Sequence, residues 1–168
     1  MKAYDFSYNY NSKFILSLFI LLILIIMSIV LVCNSNKKIF KLIIVAIFIL
    51  LSLMVCYTSY IYPYSKYKEI KEAINNNKIL YVSGEVVDLY TPKLKFGSHE
   101  CESFKINDIE FKYYENESYG YSVFANNNGI ISENGQKLKI GYYEEYEHYD
   151  KSSPSRRVIV SIEILEDK

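Results

Sequence analysis

Tryptophan is absent from this chain of 168 residues, and glycine (6), proline (3) and cysteine (3) are sparse. Each scarcity excludes something. The glycines at 84, 97, 120, 129, 135 and 141 stand singly, so no glycine-rich loop is present to cradle a phosphate; they read as turn and bulge positions. Cys33, Cys56 and Cys101 make no Cys-x-x-Cys pair and no disulfide framework. No Gly-x-Ser-x-Gly elbow surrounds Ser103, which leaves a nucleophile reading of that serine without its usual setting.

Charge is missing where it would matter most for transport. Phe14–Val32 runs for 19 residues and Leu42–Tyr62 for 21 without an Asp, Glu, His, Lys or Arg. A helix of about 20 apolar residues crosses a hydrocarbon core of about 30 Å, and only a helix satisfies its own backbone there. Ion pathways and proton relays place ionisable groups at that depth, so two uncharged spans point to an anchor or an association unit. Neither span contains glycine, which removes the Gly-x-x-x-Gly contact. The first run is too long for a signal-peptide core and lacks a small-x-small cleavage site; no lipobox precedes Cys33.

Net charge is zero, yet unevenly spread. Up to Tyr62 there are five basic residues and one acidic; beyond it, fourteen basic face eighteen acidic. The mildly acidic remainder offers no basic face, and nucleic-acid binding is not expected. Lys2, Lys13, Lys66, Lys68, Lys71 and Lys78 flank the spans, against Lys37, Lys38 and Lys41 between them. That asymmetry favours termini on the cytoplasmic side, and a multi-pass membrane protein is expected.

The expected architecture is α+β. It comprises an N-terminal tail (1–13), transmembrane helix 1 (14–33), a polar loop (34–41) and transmembrane helix 2 (42–62). A linker helix (63–77) and a β-rich soluble domain (78–168) follow. The two spans would form an antiparallel hairpin, with Tyr57, Tyr60, Tyr62 and Tyr64 at the membrane surface and Pro63 ending the second span. Tyr67, Ile70, Ala73 and Ile74 recur at helical spacing in the linker, which Asn75-Asn76-Asn77 should stop.

Beyond it the period changes to two. Strands are expected at 79–91 with a bend at Gly84, across a hairpin turning at Asn107-Asp108, at 121–125 and 129–132, from Lys137, and over 158–164. So many short strands predict an all-β domain, an OB- or SH3-like barrel being the expected form.

His99, Glu100, Cys101 and Glu102 lie together, and Glu144, Glu145, Glu147, His148 and Asp150 form a second acidic cluster. They are either metal ligands brought together by loops or a polar loop and a solvated face. No closed zinc spacing is present, and neither a metal nor a cofactor is expected. Tyrosine is abundant (18), and Tyr113, Tyr114, Tyr119, Tyr121, Tyr142, Tyr143, Tyr146 and Tyr149 exceed what one small core should bury. They read either as a binding surface or as compositional bias. The candidate ligand-binding residues are His99, Glu102, Ser103, Tyr113 and Tyr121, with no catalytic residue assigned.

From Tyr67 onward the chain resembles a group of uncharacterised small bacterial membrane proteins. The likeness rests on Gly84-Glu85-Val86, Pro92, His99 with Glu102-Ser103-Phe104, Asn107 with Phe111-Lys112-Tyr113, Asn134-Gly135-Gln136 and Ile162-Glu163-Ile164. It departs at Asn126-Asn127-Asn128-Gly129 and over 119–124. The resemblance implies a membrane-anchored domain and no particular activity. The expected function is therefore a membrane-anchored binding module for a protein or small molecule. The alternatives are a structural or assembly subunit, including a homo-oligomer, that associates through its spans, and a metal-dependent hydrolase.

Overall fold

The computed structural model describes residues 2–8, 12–34, 38–92, 101–115, 117–146 and 154–165. The chain divides into two compact units, residues 10–66 and residues 1–9 with 67–168.

The first unit is helical. Helix α1 spans Ser12–Asn34 and helix α2 runs for 37 residues, Ile39–Asn75. Their Leu, Ile, Val and Phe side chains are largely exposed, and in this unit Ser17 and Ile44 are the buried residues among those described. Helices apolar on every side suit lipid rather than water. Of the described helices, α2 is long and apolar enough to cross a membrane; the described apolar stretch of α1, Ser17–Cys33, is shorter. Ser17 donates from Oγ to Tyr60 Oη at 2.7 Å.

Pro63 does not end α2. The preceding turn, Tyr57–Ile61, widens to π geometry, with Tyr62 N–H donating to the Tyr57 carbonyl. A proline has no N–H and crowds the carbonyl four residues back; opening the ladder by one residue accommodates both faults without breaking the helix. The expected linker helix is therefore the continuation of α2. It stops where expected: Asn77 N–H reaches the Ile74 carbonyl (3.1 Å), Lys78 N–H reaches the Ala73 carbonyl (2.9 Å), and Asn77 is left-handed at φ 54°. These two bonds form a Schellman cap, with asparagine in the left-handed seat.

Among its described residues the second unit holds seven strands: β1 (Lys2–Asp5), β2 (Leu80–Glu85), β3 (Val87–Tyr90), β4 (Glu102–Ile106), β5 (Ile109–Tyr113), β6 (Lys137–Glu145) and β7 (Arg156–Ile164). All pairings are antiparallel. They make a four-stranded sheet ordered β1-β7-β6-β2 and a separate three-stranded sheet ordered β3-β4-β5. The expected arrangement, a two-helix hairpin with a separate linker helix and a closed OB- or SH3-like barrel, is thus incorrect. Among the described residues the helices are one of 23 and one of 37 residues, and the strands form two sheets.

Several local signals hold. Asn107 and Asp108 both take positive φ (47° and 63°), the two-residue turn whose twist matches a hairpin. Phe104 faces Phe111 and Ile106 faces Ile109 across it. The 79–91 strand instead breaks at Val86, whose N–H and carbonyl bond Gln136 O (2.9 Å) and Gly135 N (2.8 Å), so its halves join different sheets. Residues 121–125 and 129–132 are not strands; the only regular structure there is a 3-10 turn at Ala125–Asn127.

The main core gathers Phe104, Ile106, Phe111, Leu138, Ile140 and Ile162 with Tyr113 and Tyr121. A second cluster joins Ile70 of α2 to Tyr119, Val158 and Val160, with Phe6 and Tyr67 against it. Phe6 and Tyr67 stack at 5.2 Å. Much of the presumed tyrosine surface is therefore interior: Tyr113, Tyr119, Tyr121 and Tyr142 are buried, while Tyr114 and Tyr146 are exposed. Tyr149 lies outside the described residues.

Candidate functional site

Strand alternation puts Glu102 on the same face of β4 as Phe104 and Ile106, and it is fully buried. An isolated buried carboxylate is costly, so its oxygens must be satisfied by donors. Both are. Tyr113, its direct partner across the β4–β5 ladder, donates its phenol to Oε1, and the Ala125 backbone N–H donates to Oε2 at 2.9 Å. Tyr113 packs edge-on against Tyr121 (5.3 Å between centroids), and Tyr121 meets Tyr4 of β1 edge-on at 5.2 Å.

The Tyr121 hydroxyl accepts the Ile130 N–H at 2.5 Å. Gln136 grips the same loop from the other end, donating from Nε2 to Ile130 O (2.8 Å) and accepting the Ser132 N–H (3.1 Å). Asn134 Oδ1 takes the Leu89 N–H at 2.9 Å. The Asn134-Gly135-Gln136 motif therefore pins chain segments. Residues 120–132 are irregular in backbone yet tied down by Glu102, Tyr121 and Gln136.

Burial pushes the phenols of Tyr113, Tyr121 and Tyr4 above their usual range. For Tyr113 the bond to Glu102 and its charge add to the effect. For Tyr121 and Tyr4 backbone N–H groups oppose it, from Ile130 and Ile131 in one case and Ser7 in the other. All three stay protonated at neutral pH and keep an O–H to donate.

Beside this set lies a cleft of about 210 Å³ lined by Tyr4, Ser7, Gly120, Tyr121, Ser122, Val123, Asn128 and Ile130. Gly120 is required there: its φ is +82°, and a Cβ would come within 2.6 Å of Val158 Cγ1. Asn128 is left-handed at φ 61°. No charged side chain is among the described lining residues.

Of the sequence-derived candidates, the structure brings Glu102, Tyr113 and Tyr121 into one contact network. Ser103 points to the opposite face of β4, in register with Lys112, and is not part of it. His99 and His148 lie outside the described residues, and among those described no three potential metal ligands cluster. Glu144, from the second acidic cluster, instead accepts from Arg157 Nε at 3.2 Å. The sequence reading missed Tyr4, Ser7, Ser122 and Asn128. For the first two a signal existed: Tyr4, Phe6 and Tyr8 alternate with polar residues, the period of a strand.

Compared with protein-family models, curated proteins and solved structures, the chain matches none.

Proposed function

We propose that this chain is a membrane-anchored binding module that holds its β domain and its N-terminal arm on one side of the bilayer. The observation that carries this reading is the pairing of β1 with β7: Tyr4 faces Ile162 and Asp5 faces Ser161. Strands of one sheet lie on one side of a membrane, which supports placing the arm together with the β domain. The lysine distribution supports the cytoplasmic side.

Binding rather than catalysis is supported by the site itself. Glu102 is fully buried and each of its oxygens accepts a hydrogen bond, from Tyr113 and from Ala125, so it holds the loop in place. The loop is preformed by its ties, which lowers the ordering cost of ligand capture. The sequence likeness to uncharacterised small bacterial membrane proteins agrees with an anchored domain and adds no activity.

Cysteine labelling tests the arrangement. In a variant with Cys33, Cys56 and Cys101 changed to Ser, single cysteines at Ser7 and Ser132 are probed with a membrane-impermeant maleimide on intact and lysed cells. Ser7→Cys and Ser132→Cys should label alike. Opposite labelling of Ser7→Cys and Ser132→Cys would overturn the proposal; protection of both until lysis fixes the domain in the cytoplasm.

A further inference from the structure

The helical unit, residues 10–66, carries lysines at 13, 37, 38, 41 and 66 and no acidic residue. Within it, residues 21–28 of α1 and 45–56 of α2 enclose a groove of about 320 Å³. The groove exists because Ser28, Ser52 and Cys56 are small where Leu21, Phe48 and Leu53 are large. The rest of its described wall is Leu, Ile and Val. Ser28 donates its hydroxyl to the Ile25 carbonyl of its own helix at 2.8 Å, so that group needs no polar occupant.

Shape and charge select what fills it. From Val45 to Cys56 the helix rises about 16 Å, about half of a ~30 Å hydrocarbon core and so the depth of one leaflet. The volume drawn out over that length leaves a channel about 5 Å across, whereas a helix with its side chains needs about 10 Å. A single extended hydrocarbon chain fits such a channel. Lys41 stands one turn before Val45, on the same side of α2, and is half-buried. A lysine so placed lays its methylene stem along apolar surface and keeps its ammonium at the level of the head groups. An anionic head group complements that ammonium, with no carboxylate in the unit to compete for it.

We infer that the α1–α2 groove is a binding site for one acyl chain of an anionic phospholipid whose head group pairs with Lys41. This inference rests on reading α2 as a membrane anchor and is independent of the side on which the β domain lies.

The full chain in phosphatidylcholine nanodiscs provides the test. A trace of phosphatidylglycerol or phosphatidylcholine, spin-labelled deep in the acyl chain, is added. Electron paramagnetic resonance then gives the fraction of each probe immobilised against the protein. Both faces of a nanodisc offer the same lipids, so sidedness does not enter. The expected result is a preference for phosphatidylglycerol that falls about three- to fivefold in Lys41→Gln and is unchanged in Lys13→Gln. Ser52→Leu fills the groove with every charge in place and should lower the preference at least as far as Lys41→Gln. Unchanged far-ultraviolet circular dichroism verifies that the helices persist in each variant. Equal immobilisation of the two probes by the native chain would overturn the inference. So would a preference untouched by Ser52→Leu, or equal losses in Lys13→Gln and Lys41→Gln, since either reduces it to the attraction of any lysine for anionic lipid. Chains paired within a nanodisc and separated by Ser52→Leu would assign the groove to a second copy instead. Failure to enter nanodiscs at all would sink the anchor reading as well, which the other outcomes leave standing.

Discussion

Glu102 and Tyr113 face each other directly across the β4–β5 ladder, and the phenol of one donates to the buried carboxylate of the other. The pair ties a sheet to the loop that walls the cleft, because the second carboxylate oxygen holds Ala125. Removing only the phenol leaves a buried acceptor without its donor. Tyr113→Phe should therefore destabilise the domain by about 1–3 kcal/mol. Replacing both residues, Glu102→Leu with Tyr113→Phe, should cost less than the sum of the single changes, since no unpaired charge remains buried. Denaturant melts of the four proteins measure the difference; an additive cycle would show that the pair does not act as a unit.

The raised phenols set the alkaline limit. Tyr4, Tyr113 and Tyr121 are all pushed upward by burial. Below the unfolded value of about 10 both folded and unfolded chains hold these protons, so stability from this source is fully present. As pH rises above it, the unfolded chain ionises first and is favoured. The melting temperature should hold steady through neutral pH and fall above about 10. Tyrosinate absorbance followed in parallel should show these phenols ionising only as the domain unfolds. Their ionisation in a still-folded domain would contradict the burial argument.

The N-terminal arm is the third point of test. Phe6 stacks on Tyr67 and Tyr4 meets Tyr121, both at 5.2 Å. Phe6→Ala should cost about 1–3 kcal/mol, from lost apolar burial and one aromatic pair. It should also speed proteolysis within the first ten residues while the membrane fraction is unchanged. A Phe6→Leu variant should recover part of the loss. Equal protease resistance in all three proteins would mean that the arm is not held by this contact.

What the sequence made legible follows from how local each signal is. Asn107-Asp108 and the facing Phe104 and Phe111 are neighbours in the chain, and turn chemistry with alternation revealed them. Pro63 misled because its local meaning, a helix end, gave way to a π turn that absorbs it. Gly84 was read as the bend, but the break falls at Val86, set by hydrogen bonds to Gly135 and Gln136 far along the chain. Glu102 and Tyr113 were singled out from the sequence for other reasons than the one found. Their adjacency is a matter of register, whereas the partnership with Ala125, and the cleft built from Tyr4 and Ser122, join segments whose pairing no local pattern encodes.

One strand waits for its partner. Among the described strands β1 is made before β2 to β6, and its partner β7 after them, so the arm stays unpaired while the strands between are synthesised. Until it docks, β7 presents an open edge, and an open edge accepts any strand that offers itself. The arm of a neighbouring copy can complete the same edge. Its own tethered arm has the advantage of effective concentration, and only a high density of newly made copies would yield exchanged pairs joined through β1.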